Sequence, residues 1–491
     1  MIDISFSSLN IISIIPIAII LFGAISILIL DLLIQAFYKG MYISLSIIFM
    51  TISLISLLYI DNNISGFFGF INIDGLSLLS QIIIIVASIL FMFLIISKDK
   101  FAELECAEFY ILFLSMIAGY QFMVSSNNLI LIFLGLEASS LSLYTLIALN
   151  KKQKALEAAI KYFTLGALGS GFFAFGIMFI YASIGSLDIK ELSFILYNQE
   201  YMINNKYFIS LGFIFLVGAI GFKLSLFPFH TWVPDIYEGS NAPLAFYMSI
   251  VTKIAGFVVA IRVFDAFLGF NYDFIEMILF LIVVLTITIP NIIALLQNDV
   301  QRMLAYSSIS QAGFGLACIL INTNDSLSAL FLYWILFLFT NLGAFGLLWL
   351  THNKNHKWDN RFNSPYIKFS GLIKTMPLLA VGFGICMLSL GGIPPFGMFW
   401  GKLFIISASI NANHYILALI LLINSAIAIY YYIKLIIFMF LKEPINNDTN
   451  LYTRNLTYPM VFIIVISLLV SVFAIFLVDI ILTHIQKYLF I

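Results

Sequence analysis

Charge is what this chain lacks most. Of 491 residues only 10% are Asp, Glu, Lys or Arg, against 62% hydrophobic, a balance no water-soluble core absorbs, so the chain reads as an integral membrane protein. Its 23 basic and 24 acidic residues give a formal net charge of -1, and no basic run of the kind that grips nucleic acid occurs. Cysteine is nearly absent. Cys106, Cys318 and Cys386 lie far apart, without the paired spacing of a zinc or iron–sulfur site, and read as small apolar packing residues. There is no dinucleotide-binding glycine loop, and the first 30 residues contain no Lys or Arg and no small-residue cleavage pattern. No removable signal peptide is therefore expected, and the first span should stay in the protein.

What is present in abundance is apolar sequence in blocks of spanning length. A spanning helix needs about 20 mainly apolar residues, and such windows begin near Ile11, Met41, Leu76, Glu108, Leu129, Glu157, Tyr207, Pro243, Ile275, Leu304, Ala329, Met376, Tyr415 and Tyr458. These predict an all-α integral membrane protein of about fourteen transmembrane helices in one bundle. The loops are short and polar, such as SSNN at 125–128 and NTND at 322–325, and no soluble domain is appended. Basic residues gather on the cytoplasmic side of a membrane. Alternate loops on one side carry Lys39, Lys98, Lys100, Lys151, Lys152, Lys154, Arg302, Lys354, Lys357, Arg361, Lys368, Lys442 and Arg454; the other side has Lys190, Lys206 and Lys487. Fourteen spans then put both termini outside the cytoplasm.

The remaining basic residues, Lys161, Lys223, Lys253, Arg262, Lys374, Lys402 and Lys434, fall within or at the ends of spans, as does the acid Glu137. A charge at the centre of a spanning helix costs roughly 2.5–3.5 kcal/mol and usually faces a bundle interior or a wet cavity. At about 1.5 Å of rise per residue, Lys253 lies about 15 Å deep and Glu137 about 12 Å. Lys223 lies in GAIGFKLSLFPFHTW, five residues before Pro228, and Lys402 in LSLGGIPPFGMFWGK, seven after Pro395. Proline opens or kinks a helix, and freed backbone at membrane depth is tolerated only where it is buried in protein or lines a cavity. The seventh and twelfth helices are thus expected to be broken, each with a lysine near the break. They are displaced from one another by five helices, an odd number, so the units around them have opposite orientation, the arrangement of inverted repeats. The expected organisation is helices 1–3 over residues 1–107, a first five-helix repeat over 108–267, a second, inverted one over 268–440, and a last helix over 441–491.

Burial disfavours the charged form of either residue type, and pairing an acid with a base restores it. Moving Glu137 toward or away from Lys223 would switch the lysine between holding and releasing a proton, and a row of such groups would pass protons by relay. The competing reading is a structural ion pair tying helices together. Lys253 has no acid nearby on its own helix. Lys161, four residues after Glu157, suits an i,i+4 pair as well as a path, Lys374 and Lys434 suit interfaces, and Arg262 suits snorkelling to the outer surface. His230 in PFHTWVPD titrates near neutral pH when unperturbed and is read equally as a link to the cytoplasm or as packing beside Trp232. His352 and His356, in a polar loop with Lys354 and Lys357, do not read as a metal site.

The stretches GLEASSLSLYTL (135–146), EAAIKYFTLGALGSG (157–171), GFKLSLFPFHTWVPDIYEGSNAP (221–243), MLAYSSISQAGF (303–314) and GGIPPFGMFWGKL (391–403) resemble the antiporter-like membrane subunits of respiratory complex I, the NADH-quinone oxidoreductase. Among the three paralogous types the chain is most similar to the N type, by the wording WVPDIYEG and the want of a long lateral helix at the C-terminal end. The resemblance implies a proton-translocating subunit of a translocase driven by quinone reduction elsewhere in the complex. It implies Glu137, Lys223, Lys253 and Lys402 as the proton-carrying residues, with Lys161, His230 and Gln311 as secondary candidates. It also implies no cofactor in this chain, with NADH, FMN, iron–sulfur clusters and quinone held by other subunits, and as partners the other membrane subunits, paralogues included, in lipid. The setting would be a bacterial inner membrane or, alternatively, a mitochondrial one. Gln311 departs from the pattern, since relatives often have histidine there and glutamine does not titrate. Two other readings stand beside this one: a subunit of a multisubunit cation/proton antiporter, which shares the fold, and a non-pumping scaffold.

Overall fold

The apolar windows become helices because a backbone away from water must satisfy its own hydrogen bonds, which a helix does within one segment. The computed structural model describes residues 9–34, 38–60, 63–97, 101–197, 199–268, 273–351, 364–444 and 457–490. In chain order the main helices are α1 (Ile15–Leu33), α2 (Lys39–Leu58), α3 (Gly75–Leu94), α4 (Ala107–Ser125), α5 (Leu129–Ala148), α6 (Gln153–Ile184), α7a (Gln199–Leu224), α7b (Trp232–Gly239), α8 (Ala242–Leu268), α9 (Asp273–Leu295), α10 (Val300–Ile321), α11 (Asn324–Leu350), α12a (Pro377–Gly391), α12b (Gly397–Asn411), α13 (Tyr415–Leu441) and α14 (Tyr458–Leu489). Among the described residues 13 helices are long and apolar enough to cross a membrane. The fourteenth expected span takes the form of α12a and α12b, each too short to cross alone.

The fold is all-α as expected, with one small β-ribbon between helices. Residues Ile64–Gly66 (β1) and Ile71–Ile73 (β2) pair antiparallel between α2 and α3, and Ile71 bridges to Ser126 at the end of α4. Of the basic loop residues, Lys98, Lys100, Lys354, Lys357, Arg361 and Arg454 lie outside the described residues, as do His352 and His356.

Burial sorts the helices. The spanning window of α8 is buried throughout, those of α10 and α11 nearly so, whereas α2, α6 and α14 bury about a third or less and form the lateral surface. Lys253 is therefore on the central helix, 6% exposed. Helix ends are closed by side chains that accept from otherwise orphan N–H groups: Asp74 from Ser77 at α3, Asn128 from Ile130 at α5, and Asp299 from Gln301 and Arg302 at α10. Helices α4 and α5 cross in near contact through Gly119 and Gly135. A Cβ on Gly135 would stand 2.9 Å from the Met123 nitrogen and 3.0 Å from the Gly119 carbonyl, so small residues permit the approach. This crossing fixes the stretch of α5 that carries Glu137 and Ser140.

Both expected breaks are present. After α7a, Ser225 adopts φ 60, and the loosened backbone is re-satisfied locally. Leu226 N donates to Gly221 O at 2.7 Å, Phe227 N to Thr286 Oγ1 at 2.9 Å, and Trp232 Nε1 to Phe222 O at 3.2 Å. After α12a, Gly392 adopts φ 78, with Gly392 N on Ser389 O at 2.8 Å and Met398 N on Ser389 Oγ at 3.3 Å.

Candidate functional site

Glu137, half-buried on α5, accepts a hydrogen bond from Ser170 of α6. One turn further along α5, Ser140 accepts from Lys223 Nζ at 2.8 Å. Lys223 is 5% exposed and stands 5.7 Å from the ring centroid of Tyr120. The expected direct pairing of Glu137 with Lys223 is thus replaced by two serine contacts, because the side chains leave α5 on adjacent faces toward different helices. Ser140, Ser170 and Lys223 nevertheless line one cavity, walled by Tyr144, Tyr162 and Phe222, whose volume of about 10 Å³ for a water centre suits a single molecule. Lys223 thus borders this cavity directly, and Glu137 reaches it through its partner Ser170.

At the centre, Lys253 Nζ donates to the carbonyl of Ser308 on α10 and, at 3.2 Å, to its hydroxyl. A second cavity of similar size lies between Lys253, Ser249, Gln311, Tyr333 and Trp334. There the carbonyl of Gln311 accepts from the Tyr333 hydroxyl, so Gln311 is held as a hydrogen-bonding link between α10 and α11. Lys402, 4% exposed, starts on α12b and reaches back across the break to the carbonyls of Leu390 and Gly391 at 3.2 and 3.4 Å. These are free carbonyls at the C-terminal end of α12a, where the helix dipole is negative and favours a cation. Its ammonium also stands 5.4 Å from the Phe314 ring centroid.

A third region is a vestibule of about 200 Å³ where the starts of α6 and α10 meet α7b. Lys161 bridges Glu157 at 2.8 Å and Asp235 at 3.0 Å; Arg302 bridges Asp235 at 2.9 Å and Glu238 at 2.7 Å; Lys154 bridges Glu238 at 3.2 Å. Burial pushes the Asp235 carboxyl upward, but hydrogen bonds from Lys161 and Arg302 outweigh it and hold the group below the usual carboxylate range. Lys161 therefore belongs to this open ion network, its side chain 43% exposed. His230 is buried against the Phe227 ring, centroids 5.5 Å apart. The vestibule and the Lys223 cavity are neighbours along α6, since Lys161 lines the one and Tyr162 the other, and Tyr162 stacks on Trp232 of α7b at 4.6 Å.

Arg262 corrects its expectation. It does not snorkel to the surface: its side chain is 8% exposed and bound to Asp74 through two contacts of 2.9 and 2.8 Å. Pairing with a carboxylate brought by α3 removes the need to reach water. Lys434 donates to Gln297 O, just past the end of α9, at 3.0 Å. Residues that sequence reasoning missed are Ser140, Ser170, Ser308, Tyr333, Asp235, Glu238 and Arg302. The only signal for the serines was hydroxyls inside otherwise apolar helices, in GLEASS, LGSG and YSSIS.

Comparison with known proteins bears on the family and the fold. A family model described as NADH:quinone oxidoreductase/Mrp antiporter, transmembrane, matches residues 126–428. The chain is 46% identical over 478 residues to the NADH-quinone oxidoreductase subunit N of Helicobacter acinonychis, covering 96% of this chain and 97% of that one. It is 48% identical over 480 residues to the protein of the same name from Sulfurimonas denitrificans, covering 96% and 95%. Among solved structures, respiratory complex I from Thermus thermophilus with bound aureothin has a similar chain at TM-score 0.76 and 26% identity, covering 94% of this chain and 98% of that one. The Mrp complex from Dietzia, at TM-score 0.80 and 16% identity with 98% of each chain covered, shares the fold.

Proposed function

Given that the chain belongs to the NADH:quinone oxidoreductase/Mrp antiporter transmembrane family, and within it to the subunit N type, we propose that Glu137, Lys223, Lys253 and Lys402 pass protons across the membrane. The chain is an antiporter-like membrane-arm subunit of NADH-quinone oxidoreductase, a proton-translocating enzyme, and its partners are other membrane subunits of that complex. The observation that carries the relay is the pair of one-water cavities. One joins the Glu137–Ser170 and Lys223–Ser140 contacts, and the other joins Lys253 to Gln311 and Tyr333.

The path begins at the vestibule, which Lys161 lines next to Tyr162 of the Lys223 cavity. A proton taken up at Lys223 passes to the central Lys253, then by way of Gln311, acting as a neutral hydrogen-bonding link, to Lys402. Glu137 and Ser170 set how strongly Lys223 holds its proton: an anion brought closer favours the ammonium, and its retreat favours release. The two halves are read as inverted units, α4 to α8 over 108–267 and α9 to α13 over 268–440, flanked by 1–107 and 441–491. In support, each unit has a lysine at a broken helix, and the Glu137–Ser170 link of α5 to α6 has a counterpart in the Gln311–Tyr333 link of α10 to α11. The chain itself holds no redox group in this reading; NADH, FMN, iron–sulfur clusters and quinone are bound by other subunits, which include paralogues of this one. The named relatives are bacterial and favour the plasma membrane over a mitochondrial setting.

The test is proton pumping and quinone reduction in membranes carrying Lys223→Ala, with assembly of the complex followed on native gels. The expected result is an assembled complex in which both activities fall together. Normal activities in an assembled complex would overturn the relay, and loss of assembly paralleled by Glu137→Gln would favour the scaffold reading.

A further inference from the structure

Between Gln311 and Lys402 the relay crosses from α10 to α12b, and one side chain meets both ends of that step. Tyr432 of α13 is 1% exposed. Its hydroxyl has Ser307, Gln311 and Tyr431 within reach, yet it makes no hydrogen bond of normal geometry within the protein. Its ring lies against Gly391, where a Cβ would stand 3.7 Å from Tyr432 Cδ2, and the Gly391 carbonyl is one of the two that hold the Lys402 ammonium. Tyr432 therefore has its polar end at Gln311 and its apolar flank at the seat of Lys402. Hydrogen bonds between α9 and α13 set this placement. Tyr431 Oη donates to Asn291 Oδ1 at 3.0 Å, Asn291 Nδ2 donates to Asn424 O at 3.2 Å, and Asn424 Nδ2 donates to Thr288 Oγ1 at 3.2 Å. Asn424 and Tyr431 are about two helical turns apart and share one face of α13. Both, like Asn291, are at most 3% exposed. The clip fixes the rotation of α13 and so turns the next residue, Tyr432, toward α10 and away from lipid.

Glutamine does not titrate, so Gln311 serves a relay only as a donor and acceptor kept in one place. Its carbonyl accepts from Tyr333 of α11. A buried hydroxyl left without a partner is costly, and the Gln311 amide can give an N–H to Tyr432 while its carbonyl stays on Tyr333. Held from both sides, the amide keeps its position between α11 and α13. We propose that Tyr432 is a positioning residue for the step from Gln311 to Lys402: its hydroxyl holds the Gln311 amide, and its ring braces the α12a end whose carbonyls seat the Lys402 ammonium. The inference rests on the relay reading and adds to it the group that couples the last two members.

The experiment uses the assembled complex carrying Tyr432→Phe, which keeps the ring against Gly391 and removes the hydroxyl, then Gln311→Leu, then both. Quinone reduction and pumping are measured per assembled complex in H2O and D2O, together with the melting temperature. Positioning through Gln311 predicts that Tyr432→Phe lowers both activities about fivefold, with a raised solvent isotope effect and unchanged melting. The double variant should fall no further than Gln311→Leu alone, because both changes act on one step. Packing alone predicts wild-type turnover and isotope effect in Tyr432→Phe, and that result overturns the proposal. Losses that multiply in the double variant overturn it too, since the hydroxyl would then act elsewhere. Where Tyr432→Phe assembles poorly, Gln311→Asn decides, because it leaves Tyr432 in place and draws the amide back by one methylene. A similar loss is expected there, and wild-type activity overturns the proposal. If Lys402→Ala abolishes pumping while these variants behave as wild type, the positioning role alone falls. If Lys402→Ala is harmless, the relay falls with it.

Discussion

Lys223, Lys253 and Lys402 meet the same difficulty, an ammonium far from water, with different acceptors. Lys223 uses a serine hydroxyl, Lys253 a carbonyl and hydroxyl of one residue, and Lys402 the open carbonyls of a helix end. None of these acceptors carries a full charge, so each lysine is held without being locked, which suits the proton exchange proposed for it. The Ser140 contact is the most directly testable. Ser140→Ala leaves the Lys223 ammonium short of one acceptor, and a hydrogen bond to a charged group is worth about 1.5–3 kcal/mol. Quinone reduction per assembled complex should fall roughly tenfold, and Ser140→Thr, which keeps the hydroxyl, should restore most of it. Equal rates in Ser140→Ala and wild type would mean that this contact does not tune the lysine. The charged residues of this set were legible in the sequence because a charge in an apolar run stands out. The serines were not, because a hydroxyl folded back onto its own helix, as Ser139 does onto Leu136, looks the same in sequence as one that holds a lysine.

Helix breaks were legible because proline and glycine act on their own backbone, whatever surrounds them. What the break does for the lysine was not. At the second break, Gly392 serves two ends: its φ of 78 is one that L side chains rarely adopt, and a Cβ there would stand 3.0 Å from Lys402 Cδ. Gly392→Ala should therefore cost about 1 kcal/mol or more in stability and push Lys402 off the α12a carbonyls. The expected outcome is a complex that assembles with a lowered melting temperature and a larger loss of pumping than of assembly. A variant that pumps normally would show that Lys402 does not need the carbonyl seat. At the first break the lysine precedes the turn and at the second it follows, a difference that spacing to proline alone already gave.

The whole bundle is organised around α8, whose buried length carries Lys253 and packs against α7a on one side and α10 and α11 on the other. Outside the spans, the loop before α12a also buries a lysine, Lys368, 4% exposed. Burial lowers its pKa from 10.5 to about 8, with the Asp299 carboxylate opposing the shift. Between those two values the unfolded chain holds a proton that the folded one has released, so this residue makes unfolding harder as pH rises through that window and imposes its full penalty below it. Wild type should gain thermal stability between about pH 8 and pH 10 relative to Lys368→Met, as read by melting in detergent; parallel curves would mean the lysine is charged in the fold throughout. The sequence by itself determined the membrane setting, the number of crossings, the two breaks and the places of Glu137 and Lys253 along their helices, because hydropathy, helical rise and proline are local properties. Only the tertiary structure decided partners: Lys223 with Ser140 instead of Glu137, Lys161 inside an ion network with α7b and α10, and Arg262 with Asp74 across 188 residues of chain. Pairing depends on how each helix is rotated and how closely its neighbours approach, and those are set by packing over the whole bundle, which leaves no mark on any single stretch of sequence.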